Sequence, residues 1–233
     1  MAKPAPATKP PSGVLDRALL VLACFSERHP RLHLRELAAL SGLDKATLLR
    51  ILATYVAHGY LRRQADGRYA PGPAPLRLAA LYGATHDLIA RLTPILQAVM
   101  ERTGESAAFY ERDGDDRLCL CRANAPRALR HQVETGERLP LSAGGAAAHV
   151  LLAGTGSPTP LAETLQHQGW LSTAGERDPG LASIALPVRD ADGAFLGALV
   201  VSGPISRQSE QGSAEARAIA AALLREQGFQ TAG

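Results

Sequence analysis

Residues 34–71 read LRELAALSGLDKATLLRILATYVAHGYLRRQADGRYAP: two stretches of helical periodicity joined by Gly42-Leu43-Asp44, then a short hairpin signal. A connection this tight forces the two helices to cross steeply, and both must bury an apolar face against a third element. Residues 14–28, VLDRALLVLACFSER, supply it. Their apolar positions Leu15, Ala18, Leu19, Leu22 and Phe25 recur at helical spacing, Asp16 sits early, and His29-Pro30 is the stop. Ser41-Gly42 ends the middle helix. Asp44 is read as the N-cap of the third, which runs from Lys45 to about His58 and is closed by Gly59. Asp66-Gly67 then predicts a hairpin between strands at 60–63 and 68–70. Helix, helix, tight turn, helix, hairpin is the order of a winged helix-turn-helix.

The third helix has the division of faces that such a motif needs. At about 100° per residue, Thr47, Arg50, Thr54 and His58 fall within roughly 80° of one another. Leu48, Leu49, Leu52, Tyr55 and Val56 are expected on the packed side. Lys45 stands in the first turn, and Arg62, Arg63 and Arg68 decorate the hairpin. In isolation a polar stripe is most simply a solvated face. Here it coincides with the turn spacing and with arginines on the wing, where they can reach phosphate or the minor groove. Lys45, Thr47, Arg50, Thr54, His58, Arg62, Arg63 and Arg68 are therefore the expected contacts to a double-stranded DNA operator. Arg50 is the candidate base reader, since arginine can grip guanine with two hydrogen bonds. Asp44 is excluded because its charge repels phosphate.

Charge supports the same division. Residues 1–84 carry 12 Lys+Arg against 5 Asp+Glu, and residues 85–233 carry 13 against 17, so a front part at +7 joins a remainder at −4. The basic part is the one suited to a polyanion. The three cysteines, Cys24, Cys119 and Cys121, form neither a disulfide framework nor a zinc-site spacing. No secretory leader or membrane-spanning run is read, so a cytoplasmic protein with no membrane association is expected. The proline-rich residues 1–13 are expected to be a disordered arm.

The coarse organisation is a helix-turn-helix domain at 14–73, a linker at 74–86 holding a helix over 75–84, and a second domain over 87–233. The second domain opens with a helix at 87–103, expected to kink or restart at Pro94. Strands are predicted at SAAFYER and RLCLCRA, with a looser third within 127–139. SAGGAAAHVLLAG reads as a Gly-rich loop entering a helix, and LAETLQHQG as a short helix. LASIALPVRDADGAFLGALVVSGP reads as two apolar strands around Asp192-Gly193, and 210–227 as a closing helix.

Three segments carry a resemblance to a known family. LDRALLVLACF through GRYAPGP, RLPLSAGGAAAHVLLAG and LASIALPVRDADGAFLGALVVSGP occur in the order found in IclR-family bacterial transcriptional regulators, over roughly 14–227. The resemblance implies an α+β protein: an N-terminal winged helix-turn-helix, a linker helix and a C-terminal GAF-like mixed α/β effector domain. It also implies a homodimer or tetramer on a pseudo-palindromic operator, with the linker and 87–103 helices coupling ligand occupancy to the spacing of the reading helices. By position it places a small-molecule site at Leu129, Leu139, Gly145, Ala146, Leu181, Ser183 and Ser202. A carboxylate suits that site, because a helix N-terminus opened by Gly144-Gly145 attracts anions, serines donate and leucines exclude water. Alternatively, the glycines and alanines there only allow close helix-sheet packing. The chain departs from the family in two places. Ala147-Ala148-His149 stands where Gly-Lys-Ala is usual, and the segment before GWLSTAGERDPG is short, with Thr173 near where an acidic residue is expected.

Other classes remain to be weighed. No nucleophile elbow, phosphate loop, dinucleotide fingerprint or His-Glu-x-x-His motif is present, so no catalytic residues, cofactor or metal ligands are assigned. His149, on an apolar helix, is read as a hydrogen-bonded structural histidine. Cys119 and Cys121 alternate with leucines and are expected on one strand face, where they could sense oxidants or simply pack. The alternatives to a ligand sensor are thus a ligand-free C-terminal domain, redox sensing through Cys119 and Cys121, or residual enzyme activity.

Overall fold

The computed structural model describes residues 13–26, 29–126, 133–207 and 209–231. Residues 1–12 of the expected arm lie outside these. The chain divides into two compact units, Met1–Thr85 and His86–Gly233, with the boundary at the end of the linker helix.

Unit 1 contains α1 (Val14–Ala23), α2 (Leu34–Ser41), α3 (Lys45–Ala57), the strands β1 (Leu61–Arg63) and β2 (Tyr69–Pro71), and α4 (Ala74–Thr85). α1 is shorter than its periodicity predicts. It stops at Ala23, and Ser26 and His29 bridge each other in a turn that Ser26 Oγ reinforces by accepting the His29 N–H at 3.2 Å. Its buried residue is Val21, whereas Leu15 and Leu19, expected in the core, are 75% and 60% exposed. α2 ends in Gly42, whose φ of +70° is the left-handed conformation a helix C-terminus asks of glycine. Asp44 begins α3 as expected, with its carboxylate accepting the Thr47 N–H at 2.9 Å. Val21, Leu32, Leu37, Leu48, Ile51, Leu52, Leu61 and Tyr69 form one cluster. Each fully buried leucine there contributes about 1.5–3 kcal/mol. Leu49 and Val56, expected on the packed side of α3, are exposed instead. The cluster takes Leu48, Ile51 and Leu52, with Tyr55 half-buried, which is a narrower stripe than the count of apolar residues implies.

Unit 2 is one antiparallel sheet with helices on both faces. Its strand order is β5-β4-β3-β8-β7-β6. The strands are β3 (Ser106–Asp113), β4 (Asp116–Ala123), β5 (Arg138–Pro140), β6 (Leu171–Ala174), β7 (Leu181–Arg189) and β8 (Phe195–Pro204). α5 (Asp87–Thr103) and α8 (Glu210–Glu226) cover one face, and α6 (Ala146–Gly154) and α7 (Ala162–Gln168) the other. Pro94 lies inside α5 without restarting it. It deletes one helical hydrogen bond, while Leu92 before it and Ile95, Leu96 and Val99 after it anchor both halves in the same core. Among the described residues the expected third strand is the short β5, Arg138–Pro140, residues 127–132 lying outside them, and β6, which no sequence pattern singled out, closes the opposite edge.

The cysteines do not share a face. Phe109 pairs with Cys121 and Tyr110 with Cys119, so Leu120 is an extra residue in β4 and the alternation breaks there. Cys119 enters the core on the α6 side, and Cys121 joins Leu120 on the α5 side.

Candidate nucleic-acid interface and ligand cavity

The α3 interface rests on its cap. Asp44 accepts the Thr47 amide through Oδ1 and the Thr47 hydroxyl through Oδ2 at 2.7 Å. These bonds hold the Asp44 carboxyl below its usual range and turn the Thr47 hydroxyl inward. Arg50 is exposed and stands one turn further along, among exposed Ala46, Ala53, Thr54 and Ala57. Its small neighbours leave the guanidinium unobstructed. The Thr54 hydroxyl donates to the Arg50 carbonyl at 3.1 Å, so its methyl is the outward group. Lys45 and His58 are exposed at the two ends of the helix.

On the hairpin, Arg62 and Arg63 are exposed, and Arg63 lies 6.0 Å from the Tyr69 ring centroid. Arg68 differs from them. It is half-buried and sits 3.9 Å from the Asp66 carboxylate across the turn that the same Asp66 braces through the Arg68 N–H. The structure thus brings Lys45, Arg50, Thr54, His58, Arg62 and Arg63 to the surface and engages Thr47 and Arg68 locally. Sequence reasoning missed the exposed apolar positions Ala46, Leu49 and Ala53 beside Arg50. Small apolar side chains there suit a thymine methyl. Their signal was present as positions left over once Leu48, Ile51 and Leu52 fill the core.

Unit 2 holds a cavity of about 30 Å³ between the start of α6, the β6-β7-β8 edge and the loop 175–180. Gly145, Ala146, Leu181, Ser183 and Ser202 line it, as expected. Leu139 does not. It sits on the short edge strand β5, paired with Arg117, and packs into the α6-side core. Leu129 lies outside the described residues.

The helix start at the cavity is already occupied in part. Gly145 provides no side-chain cap, and Thr173 on β6 takes that role by accepting the Ala146 N–H at 2.9 Å. The Thr173 hydroxyl is also 3.3 Å from Ser183 Oγ. Gly144 has φ +72°, and a Cβ there would meet the Glu176 carboxylate oxygen at 2.6 Å. The backbone therefore favours glycine, and a larger residue would have to displace the Glu176 side chain. Glu176 reaches over this loop to His149, with Oε1 2.7 Å from Nε2, while Nδ1 lies 2.6 Å from Thr159 Oγ1. His149 is buried and bonded on both sides, as a structural histidine should be, and it ties the loop 175–180 to α6.

The residue that sequence reasoning missed is Arg117. It is 3% exposed and lines the cavity, as do Tyr110 and Arg177. One guanidinium nitrogen donates to the Gly144 carbonyl at 2.9 Å. The group lies 5.8 Å from the Tyr110 ring centroid. Burial lowers the Arg117 pKa to about 10; Arg177 pushes the same way, and Tyr110 and Glu176 oppose it. Burial also pushes the Tyr110 phenol far above its ordinary value. Arg117 precedes Cys119 by two residues and so shares the strand face that carries the α6-side core, but spacing alone does not mark it as buried.

Comparison with known proteins decides the family. The IclR helix-turn-helix domain matches residues 14–65, and the C-terminal domain of the bacterial transcriptional regulator IclR matches 80–166 and 155–226. The chain belongs to the IclR family. It is a DNA-binding transcriptional regulator with a helix-turn-helix unit and a mixed α/β unit. It is 27% identical to the transcriptional repressor IclR of Escherichia coli over 88% of this chain and 86% of that one. It is 29% identical to the Pca regulon regulatory protein of Pseudomonas putida over 83% and 75%. The fold matches that of an IclR regulator from Alicyclobacillus acidocaldarius with a TM-score of 0.77, at 21% identity, over 92% and 97% of the two chains. It also matches an IclR homologue from Microbacterium hydrocarbonoxydans, solved with 4-hydroxybenzoate, with a TM-score of 0.75 at 20% identity over 92% and 99%. Among the described residues no helix is long and apolar enough to cross a membrane, and no three His, Cys, Asp or Glu side chains converge as a metal site.

Proposed function

We propose that this IclR-family chain is a ligand-responsive regulator that binds a pseudo-palindromic operator as a homodimer or a pair of dimers and senses a small organic acid. The observation that carries the operator reading is Arg50: an unobstructed arginine on the exposed face of a helix whose other face is locked into the unit 1 core. Lys45, Thr54 and His58 extend the reading face, and Arg62 and Arg63 take the flanking phosphates. Thr47 and Arg68 act through Asp44 and Asp66, by fixing the helix start and the wing turn.

Self-association draws support from apolar surface. Leu15 and Leu19 on α1, and Leu76, Leu78 and Leu81 on α4, are each at least half exposed. Water disfavours that arrangement, and a second copy of unit 1 relieves it. Two copies present two reading helices related by a two-fold axis, which is why the operator should be palindromic. The acid reading draws support from the cavity and from the homologue solved with 4-hydroxybenzoate. A change in operator affinity then requires the acid to favour one arrangement of the two units over another.

Selection from a random duplex pool with the full chain tests the operator reading. Two inverted half-sites should be enriched, with centres about one helical turn or a multiple of it apart. A pool that stays random, or that enriches a single isolated half-site, contradicts it.

A further inference from the structure

The strongest unexplained feature of the molecule is a buried positive charge. Arg117 is 97% removed from solvent, yet no described carboxylate pairs with it at ion-pair distance. Its Nε has no hydrogen-bond partner, and its one hydrogen bond runs to the Gly144 carbonyl. The acidic groups on the cavity wall are otherwise engaged: Glu176 with His149, and Asp178 with the Gly180 N–H at 2.9 Å. Folding pays heavily for a desolvated guanidinium in this state, and the cost is recovered only when an anion arrives.

We infer that Arg117 is the anion anchor of the unit 2 cavity and that the ligand is a short aliphatic carboxylate. The inference rests on the acid-sensing reading and names the residue and the ligand class. Arginine presents a planar fork matched to a carboxylate, and its two terminal nitrogens carry donors beyond the one given to Gly144, so they are the pair that meets the two oxygens. The start of α6 cannot do this alone, because its first amide is already capped by Thr173. Size sets the class. A water needs about 10–15 Å³ of cavity, so about 30 Å³ admits roughly two waters, or a carboxylate on a very short chain. Ser183 and Ser202, opposite each other on β7 and β8, offer hydroxyls to an oxygen on the neighbouring carbon.

Thermal unfolding of the full chain tests this, with sodium acetate, lactate and benzoate compared with sodium chloride at equal ionic strength. The variants are Arg117→Gln and Arg117→Lys. Acetate and lactate should raise the wild-type midpoint and benzoate should not. Arg117→Gln should lose the acid response while unfolding, without acid, no lower than wild type, because an uncompensated charge has been removed. Arg117→Lys keeps the charge but loses the fork, so its half-maximal acid concentration should rise at least tenfold. A wild type deaf to all three acids overturns the acid-sensing reading itself. A wild type that responds while Arg117→Gln responds equally leaves that reading standing and overturns the anchor. Midpoints of both variants far below wild type without acid make Arg117 a structural strut and overturn the anchor. A benzoate shift equal to that of acetate overturns the size limit.

Discussion

Arg50 stands exposed among small side chains and Arg117 is buried beside Tyr110 and Arg177, and burial separates the tasks proposed for them. As the proposed base reader, Arg50 keeps its hydration until DNA displaces it, so its cost is low and its gain would come from a base edge. Replacing it with alanine should weaken binding to a selected operator by about 1–3 kcal/mol, roughly 10- to 100-fold, and leave binding to random duplex nearly unchanged. Equal losses on both duplexes, measured by fluorescence anisotropy at one salt concentration, would reduce Arg50 to a phosphate contact. Arg50 was legible in the sequence because helical periodicity alone puts it opposite Leu48 and Leu52. Arg117 was not. In a strand of alternating burial, one arginine next to an acidic turn reads as a surface residue, and only the placement of the Gly144 loop over it makes it a cavity wall. Thr173 taught the same lesson. Its departure from the family pattern was visible, but its use as a cap in trans for α6 needs β6 to lie beside the helix start.

At the scale of elements, local signals carried most of the fold. Gly42 ended α2, Asp44 and Gly59 bounded α3, and Asp66-Gly67 and Asp192-Gly193 marked turns, because capping and turn chemistry act within a few residues. Features that depend on a partner strand were hidden. The Leu120 bulge is one, and it separates Cys119 from Cys121 onto different cores. Both thiols are buried, and burial pushes each up to about 12. This weighs against redox sensing, which needs an accessible thiolate. Cys24 is half-buried. Alkylation of the native chain near pH 8 should therefore label Cys24 first, with Cys119 and Cys121 reacting only in denaturant. Native labelling of all three at similar rates would restore the redox reading. The sign of the pH effect follows from the same shift. A thiol held neutral in the fold stabilises it fully below its ordinary value of 9.0, and that contribution falls as pH climbs from there toward about 12. Melting temperatures should accordingly decline through that window.

For the whole molecule, the charge asymmetry between the two parts and the division at Thr85 agree: the basic unit meets DNA and the acidic unit carries the cavity. The exposed leucines of α1 and α4 were read from sequence as core positions or as a plain linker. They are surface in a single chain, because unit 1 can bury only one face of so short a helix as α1. Their exposure is the physical reason to expect that the regulator works as more than one copy. In the proposed response to an acid the two units are joined by coupling, and coupling between sites is typically worth about 1–3 kcal/mol, or roughly 5- to 150-fold in affinity. The most direct measurement is the dissociation constant of the full chain for its selected operator, with and without a carboxylate that raises its melting temperature. That constant should change at least about fivefold on saturation with the acid, in either direction, and Arg117→Gln should abolish the change. An acid that binds and stabilises the protein yet leaves the operator constant unmoved would contradict the account of a ligand-responsive regulator.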